Sequence, residues 1–346
     1  AGRGDSTDGD EDSRDGGGNR SRPDLAQDGP CLVVVPDELQ AGIDQFVLWK
    51  RQRGLTMRVA RYPADTGSGS DALAEFIQSE YDDHGIAYVV LVGDHDDIPV
   101  RNPSQTPPSD ALYTQVSGDD LYHDVFISRV SASSVDSVRE QLGKAVAYER
   151  NPGLVESGNW YRKALFVGSA EGEGKSAFGL DDKDILEEEP AQFMAEGYSH
   201  VHQIYDPGAT HQDVLNAWND GRGILYYLGH GTETQWNTTG LSVSNVKTSL
   251  NNVQAHPFVL NGNCENGDFT RAYGDCLAEA MMKTGSLSSP AGAVSVAAST
   301  TDMDWDPPIV MLRSFTDEFF AGTMRELGPL LTYGIQEGID YCLETP

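Results

Sequence analysis

Lysine is scarce in this chain of 346 residues: seven lysines and 17 arginines stand against 34 aspartates and 20 glutamates, a formal net charge of -30. A polyanion of this kind is repelled by a phosphate backbone, so nucleic acid is excluded as an expected partner. Cysteine is also scarce. The four present, Cys31, Cys264, Cys276 and Cys342, are too few and too scattered for a disulfide framework, and there is no CxxC pair and no Cys/His cluster at zinc spacing. No run of about eighteen apolar residues occurs, so no membrane-spanning helix is expected. What remains is a chain with 38% hydrophobic residues, enough for a real core but longer than one ordinary domain. One large or two fused α/β units are expected.

Residues 1–30 carry almost no large apolar side chain, and such a composition cannot offset the entropy of ordering, so a disordered acidic tail is expected. Its Asp5, Asp8, Asp10 and Asp12 resemble oxygen-ligand calcium loops but lack the closing glutamate of a twelve-residue loop. Arg3-Gly4-Asp5-Ser6 reads as an adhesion tetrapeptide.

From Cys31 onward apolar strands alternate with helical stretches, at 31–36, 56–62, 87–94 and 124–130, with a closing helix over 134–150. Continuous apolar strands separated by helices predict a parallel sheet. Asn151, Pro152, Gly153 and Gly158 mark a joint, giving an N-terminal α/β subdomain over 31–155 and a second over 156–346. The second restarts the pattern with strands at 163–169, 200–206, 224–228, 258–260 and 292–299, and a last helix over 308–321. Two similar side-by-side, mostly parallel sheets with flanking helices are expected.

Chemistry is concentrated at two strand ends. The run Ile224–Leu228 opens into Gly229-His230-Gly231, and Phe258–Leu260 opens into Asn261-Gly262-Asn263-Cys264. In an open α/β sheet the carboxyl ends of the strands are where ligands bind, and a Cys/His pair there suggests nucleophilic catalysis. Flanking glycines leave the His230 imidazole unshielded and the Gly231 N–H free to face a substrate carbonyl. Glu171, just past the strand at 163–168, falls at the same edge and could orient the imidazole, or could be an exposed loop carboxylate. Asp182 begins a helix, where capping is the plain explanation and selection of a guanidinium the functional one. Trp305 could cover such a pocket or simply pack on the last helix. Asp110, Asp119 and Asp120, with Asp94, Asp96, Asp97 and Asp124, gather near a strand end of the first unit, an oxygen-only set that suits calcium. The stretch at 168–176 approaches a phosphate loop ending in Lys175 but has Ser169 where that loop needs glycine.

Several stretches together resemble the gingipain family of cysteine endopeptidases, whose catalytic module has a caspase-like αβα sandwich. They are Lys50–Leu55, LVGDHDDIP at 91–99, SDALY at 109–113, YERN at 148–151, SAEG at 169–172, GHGTETQW at 229–236 and CENGDF at 264–269. The resemblance implies Cys264 as nucleophile, His230 as base and acid, Glu171 as its acidic partner, and the N–H groups of Gly231 and Cys264 as the oxyanion site. It places Asp182 at the floor of the P1 pocket and Trp305 as its lid, with Ile309 where the arginine-specific branch has methionine. It further implies structural calcium, no organic cofactor, secretion, protein or peptide substrates with Arg or Lys at P1 (Arg favoured), and self-processing of the tail at Arg3, Arg14 and Arg20. Pro190 interrupts the helix after Asp182 and could displace that carboxylate. Two other readings stay open: an inactive caspase-like calcium-binding or adhesion module, and a nucleotide-binding protein using Lys175.

Overall fold

The structure is a computed structural model that describes residues 27–103, 107–151, 159–271 and 274–345. The expectations for the tail and for most of the joint at 151–158 lie outside those residues.

The first unit runs β1 (Cys31–Pro36), α1 (Asp44–Gln52), β2 (Met57–Tyr62), α2 (Ser70–His84), β3 (Tyr88–Val92), β4 (Phe126–Val130) and α3 (Val135–Arg150). All four strands pair in parallel in the order β2-β1-β3-β4. All six residues of β1 are buried, because helices cover both faces of this sheet. Alternate β1 side chains feed two cores: Val33 and Val35 pack with Val138 and Leu142 of α3, while Leu32 and Val34 pack with Leu73 and Ile77 of α2. Helix α3 starts where expected, because Ser134 Oγ accepts from Ser137 N and satisfies a first-turn donor.

The second unit runs β5 (Lys163–Gly168), α4 (Asp182–Leu186), α5 (Glu189–Ala195), β6 (His200–Tyr205), α6 (His211–Asn219), β7 (Ile224–Leu228), β8 (Gly231–Thr232), β9 (Gln235–Trp236), β10 (Leu241–Ser242), α7 (Val243–Ser249), β11 (Phe258–Gly262), α8 (Leu277–Lys283), β12 (Gly285–Ser286), β13 (Ser289–Pro290), β14 (Ser295–Ala297), α9 (Asp306–Ala321) and α10 (Leu327–Glu344). Its main sheet has the order β14-β11-β7-β5-β6, again parallel throughout. The register matters most for the site. Gly262 pairs with Leu228 and Leu228 with Gly168, so β11, β7 and β5 end flush. Whatever follows these three residues in sequence emerges along one edge.

The two sheets are fastened by buried polar contacts. Lys144 of α3, only 1% exposed, donates to the carbonyl oxygens of Ala291 (3.0 Å) and Met282. Ser131 Oγ donates to Glu279 of α8 at 2.5 Å. Arg129, from β4, lies 4.9 Å over the ring of Phe269, which sits in the loop after Cys264. The first unit thus braces the loop that carries the thiol.

Three elements differ from expectation. The strand over 292–299 shortens to Ser295–Ala297. The helix expected to end the chain begins two residues earlier, at Asp306, and is followed by α10, a second helix of 18 residues. This second helix was not among the expected elements and contains three glycines, yet Gly334 packs so closely on α9 that a Cβ there would lie 2.7 Å from Met311 O. Close helix contact requires glycine at that point, and the packing outweighs the propensity cost of about 1 kcal/mol per glycine. Pro190 does interrupt the helix after Asp182, but it falls in the first turn of α5, where a missing N–H leaves no helical bond unmade.

Candidate active site

The flush strand ends bring the candidate residues into one cleft. Asp182, Leu228, Gly229, His230, Gly262, Asn263, Cys264, Met303, Asp304, Trp305 and Pro308 line it. His230 follows β7, Cys264 follows β11, and Trp305 precedes α9. The thiol and the imidazole therefore face a shared space across adjoining strands.

His230 is positioned through both its backbone and its ring. Its carbonyl oxygen accepts from the buried Tyr227 hydroxyl at 2.5 Å and from Asn237 N at 3.0 Å. Its Nε2 lies 3.3 Å from Glu171 Oε2, and the ring meets Trp305 edge-on with centroids 4.9 Å apart. Glu171 also accepts from Lys175 Nζ at 2.8 Å, and that ammonium, followed by His230, holds the Glu171 carboxyl below its ordinary range. Lys175 stacks 4.5 Å over Trp305. These partners place Lys175 in the cleft rim rather than in a phosphate loop.

Cys264 sits on a tight turn. Its carbonyl accepts from Asn266 N at 2.7 Å, and Glu265 adopts φ of +57°, a left-handed conformation that non-glycine residues seldom take. Met303 N points at the sulfur from 3.4 Å. The Asn266 side chain donates to the carbonyls of Thr232 and, at 3.3 Å, Gln235, tying the β8–β9 hairpin to the thiol loop. Cys264 is partly exposed, whereas Cys31 and Cys276 are buried, with burial pushing the Cys31 thiol up to about 12 and the Cys276 thiol higher.

Asp182 is 1% exposed, and among the described residues no cationic side chain is hydrogen-bonded to it. Instead Ser169 Oγ donates to Oδ2 at 2.5 Å and Trp305 Nε1 donates to Oδ1 at 2.9 Å. Burial raises its pKa and these two hydrogen bonds pull it partly back. A desolvated carboxylate lining a cleft, held by neutral donors, is a site for an incoming cation. Asp182 is the first residue of α4, where an acidic side chain is favoured, but Asp181 occupies the N-cap position and the Asp182 carboxylate is buried and bonded to Ser169 and Trp305 instead of capping the helix. Ser169 had not stood out in the sequence, because its role comes from the fold and no local pattern signals it.

Asp110, Asp119 and Asp120 behave differently. Among the described residues no group of three or more His, Cys, Asp or Glu side chains is arranged to hold a metal ion. Asp110 is engaged with Arg129, accepting from its Nε at 2.6 Å and Nη2 at 2.8 Å. Asp120 accepts from Tyr122 N at 3.0 Å, and Asp124 from Val116 N and Ser117 N. Asp110, Asp120 and Asp124 are thus engaged by protein donors, and as arranged among the described residues the set forms no calcium cage. Arg129 is almost wholly buried and also donates to the carbonyls of Gly93, Asp94 and Ile98. Asp110→Asn is therefore expected to destabilise the protein by about 3–5 kcal/mol, because it leaves a buried guanidinium uncompensated. Urea unfolding with and without calcium checks this: the loss should be the same in both, and a loss seen only with calcium would assign Asp110 to an ion instead.

The model of peptidase family C25 matches residues 24–343. Gingipain R2 of Porphyromonas gingivalis is 36% identical over 292 residues, covering 82% of this chain and 38% of that protein. Lys-gingipain of the same species is 25% identical over 240 residues, covering 67% of this chain and 14% of that protein. The crystal structure of the Arg-specific cysteine proteinase gingipain R (RgpB) superposes with a TM-score of 0.86 at 32% identity, covering 93% of this chain and 75% of that one. A complex of the RgpB pro- and mature domains superposes with a TM-score of 0.85 at 32% identity, covering 90% and 74%. The chain thus spans well under half the length of the gingipains it matches by sequence.

Proposed function

Because this chain belongs to peptidase family C25, we propose that it is a cysteine endopeptidase that cuts proteins and peptides after basic residues, arginine ahead of lysine. The observation that carries this reading is the convergence of Cys264, His230 and the buried Asp182 on one cleft.

In the proposed reaction His230 takes the proton of the Cys264 thiol, and the thiolate attacks the carbonyl carbon of the P1 residue. The tetrahedral oxyanion accepts from the N–H groups of Gly231 and Cys264. Collapse breaks the C–N bond, and the imidazolium gives its proton to the departing amine, leaving a thioester on Cys264. Water then attacks the thioester with His230 as base, and the thiol is restored as the carboxylic acid leaves. Glu171 holds the ring and steadies its charged form, the function of the acidic third member in other triads.

Arginine is favoured because a planar guanidinium can share both oxygens of Asp182 and slide its stem under Trp305, whereas an ammonium is a compact point charge. The same preference extends to the tail, where Arg3, Arg14 and Arg20 are proposed self-processing sites. Secretion belongs to the proposal as well, supported by the gingipain relatives and by the Asp-rich, Lys-poor composition.

A panel of fluorogenic peptides differing only at P1 tests this reading. Turnover should be highest with arginine, lower with lysine and negligible with leucine, glutamate or citrulline, the uncharged isostere of arginine. Equal turnover of arginine and citrulline peptides would remove the charge argument, and no turnover of any basic peptide would remove the enzyme.

A further inference from the structure

Asn263, next to the thiol, has no part in the scheme above, yet its side chain lies between the two loops that scheme depends on. It is 3% exposed. Its Nδ2 donates to the Cys264 carbonyl at 3.2 Å. The same Nδ2 stands 1.8 Å from the point that a Cβ on residue 231 would occupy, and Cγ stands 2.9 Å from it. The amide of Asn263 fills the place of the side chain that Gly231 lacks.

We propose that Asn263 is a positioning residue: its amide wedges the Gly231 turn against the Cys264 turn and so sets the spacing of the two N–H groups that would bind the oxyanion. This rests on the peptidase reading given above. The φ of Gly231 lies outside the range that disfavours an L side chain, so glycine is required there by the neighbouring amide and not by the backbone. The carbonyl of Cys264 takes two donors, Asn263 Nδ2 and Asn266 N, which fixes the plane of the peptide that follows the thiol.

The other end of the amide separates positioning from simple stability. Among the described residues, Asn263 Oδ1 is buried without a hydrogen-bond partner. Asn263→Ala removes that orphaned acceptor but also the bond to Cys264 and a buried amide's volume, so a purely structural account places its effect in Tm and leaves kcat unchanged. Positioning gives a different result. A displacement of about 1 Å between donors and reacting carbonyl costs on the order of 10²-fold in rate, so Asn263→Ala should lower kcat while the P1 pocket, and with it KM, stays as it was.

The test is a two-by-two set on an arginyl peptide: wild type, Asn263→Ala, Gly231→Ala and the double variant, each with kcat, KM and Tm. Asn263→Ala is expected to lose 10- to 100-fold in kcat, with KM within about twofold. Gly231→Ala is expected to lose more, because its methyl group meets the amide. The double variant should be more active than Gly231→Ala alone, since the vacated amide space accepts that methyl. Recovery will be partial, as the Cys264 carbonyl oxygen is still 3.0 Å from the new Cβ.

An Asn263→Ala enzyme with unchanged kcat, or a double variant no better than Gly231→Ala, overturns the inference while the peptidase reading stands. Should Asn263→Ala lower Tm markedly, the comparison within the Gly231→Ala background still decides. A wild type that cleaves no basic peptide removes the peptidase reading, and this inference with it.

Discussion

Cys264→Ala is expected to lower kcat/KM on an arginyl peptide by at least about 10⁴-fold while leaving the fold intact, since removal of a nucleophile takes away the covalent route and not merely one contact. The exchange is small in volume, and the residue is partly exposed on a loop tip, so no core packing is lost. Its contacts with Met303 are two weak sulfur hydrogen bonds at 3.4 and 3.8 Å. A Tm within about 1 °C of wild type is therefore expected, a shift of under about 1 kcal/mol for a chain of this length. The activity that remains should not rise with pH, because no thiol is left to ionise. Retention of even one tenth of the wild-type rate would move the chemistry away from this sulfur.

The second large effect belongs to Asp182. Removing one partner of a buried, hydrogen-bonded charge pair costs about 2–5 kcal/mol, so Asp182→Ala should lower kcat/KM for arginyl peptides by about 10²- to 10³-fold, most of it in KM. Asp182→Asn is the sharper variant. It keeps one oxygen to accept from Trp305 Nε1 and turns an amide N–H towards Ser169 Oγ, which can accept it, but removes the charge, and should cost nearly as much. The pH dependence follows from the direction of the Asp182 shift. Burial raises its pKa in the empty cleft, so the carboxylate takes up a proton at a higher pH than an ordinary aspartate does. Arginine stays charged throughout. As pH falls through the raised pKa, KM should therefore climb, and bound substrate should move that rise to lower pH, since a guanidinium favours the charged carboxylate. Measured KM–pH profiles that are flat down to pH 4, or the same in Asp182→Asn and wild type, would dissociate Asp182 from P1 binding.

How much of this site the sequence reveals depends on whether a residue acts through its place on a strand or through its neighbours in space. His230 and Cys264 are visible because strand periodicity marks the ends of β7 and β11, and parallel pairing brings those ends level. Glu171 is visible for the same reason, one strand further on, whereas Asp182 is marked by its place at the start of a helix and by the family resemblance. Ser169 and Asn263 are not. Their functions come from what lies opposite, a carboxylate from α4 in one case and a glycine from the β7–β8 turn in the other. Helix α10 was not among the expected elements; its three glycines lower its propensity, and packing on α9 requires one of them, Gly334. For the acidic set at Asp110, Asp119 and Asp120 the sequence is informative only in part. Composition shows how many carboxylates a segment holds, but only the fold shows that Arg129 turns inward to meet one of them.

Alkylation by a peptidyl-arginyl chloromethyl ketone, mapped by mass spectrometry, tests the central claim most directly, because the four cysteines differ so clearly in setting. Cys31 and Cys276 are buried thiols, Cys342 is exposed on α10 far along the chain from the cleft, and Cys264 alone stands beside His230 and Asp182. One adduct per chain is expected, on Cys264, formed quickly in the wild type and slowed about 10²-fold or more in both His230→Ala and Asp182→Ala, by analogy with single-residue losses at such sites. An adduct on Cys342, or one on Cys264 that forms equally fast in all three proteins, would contradict it.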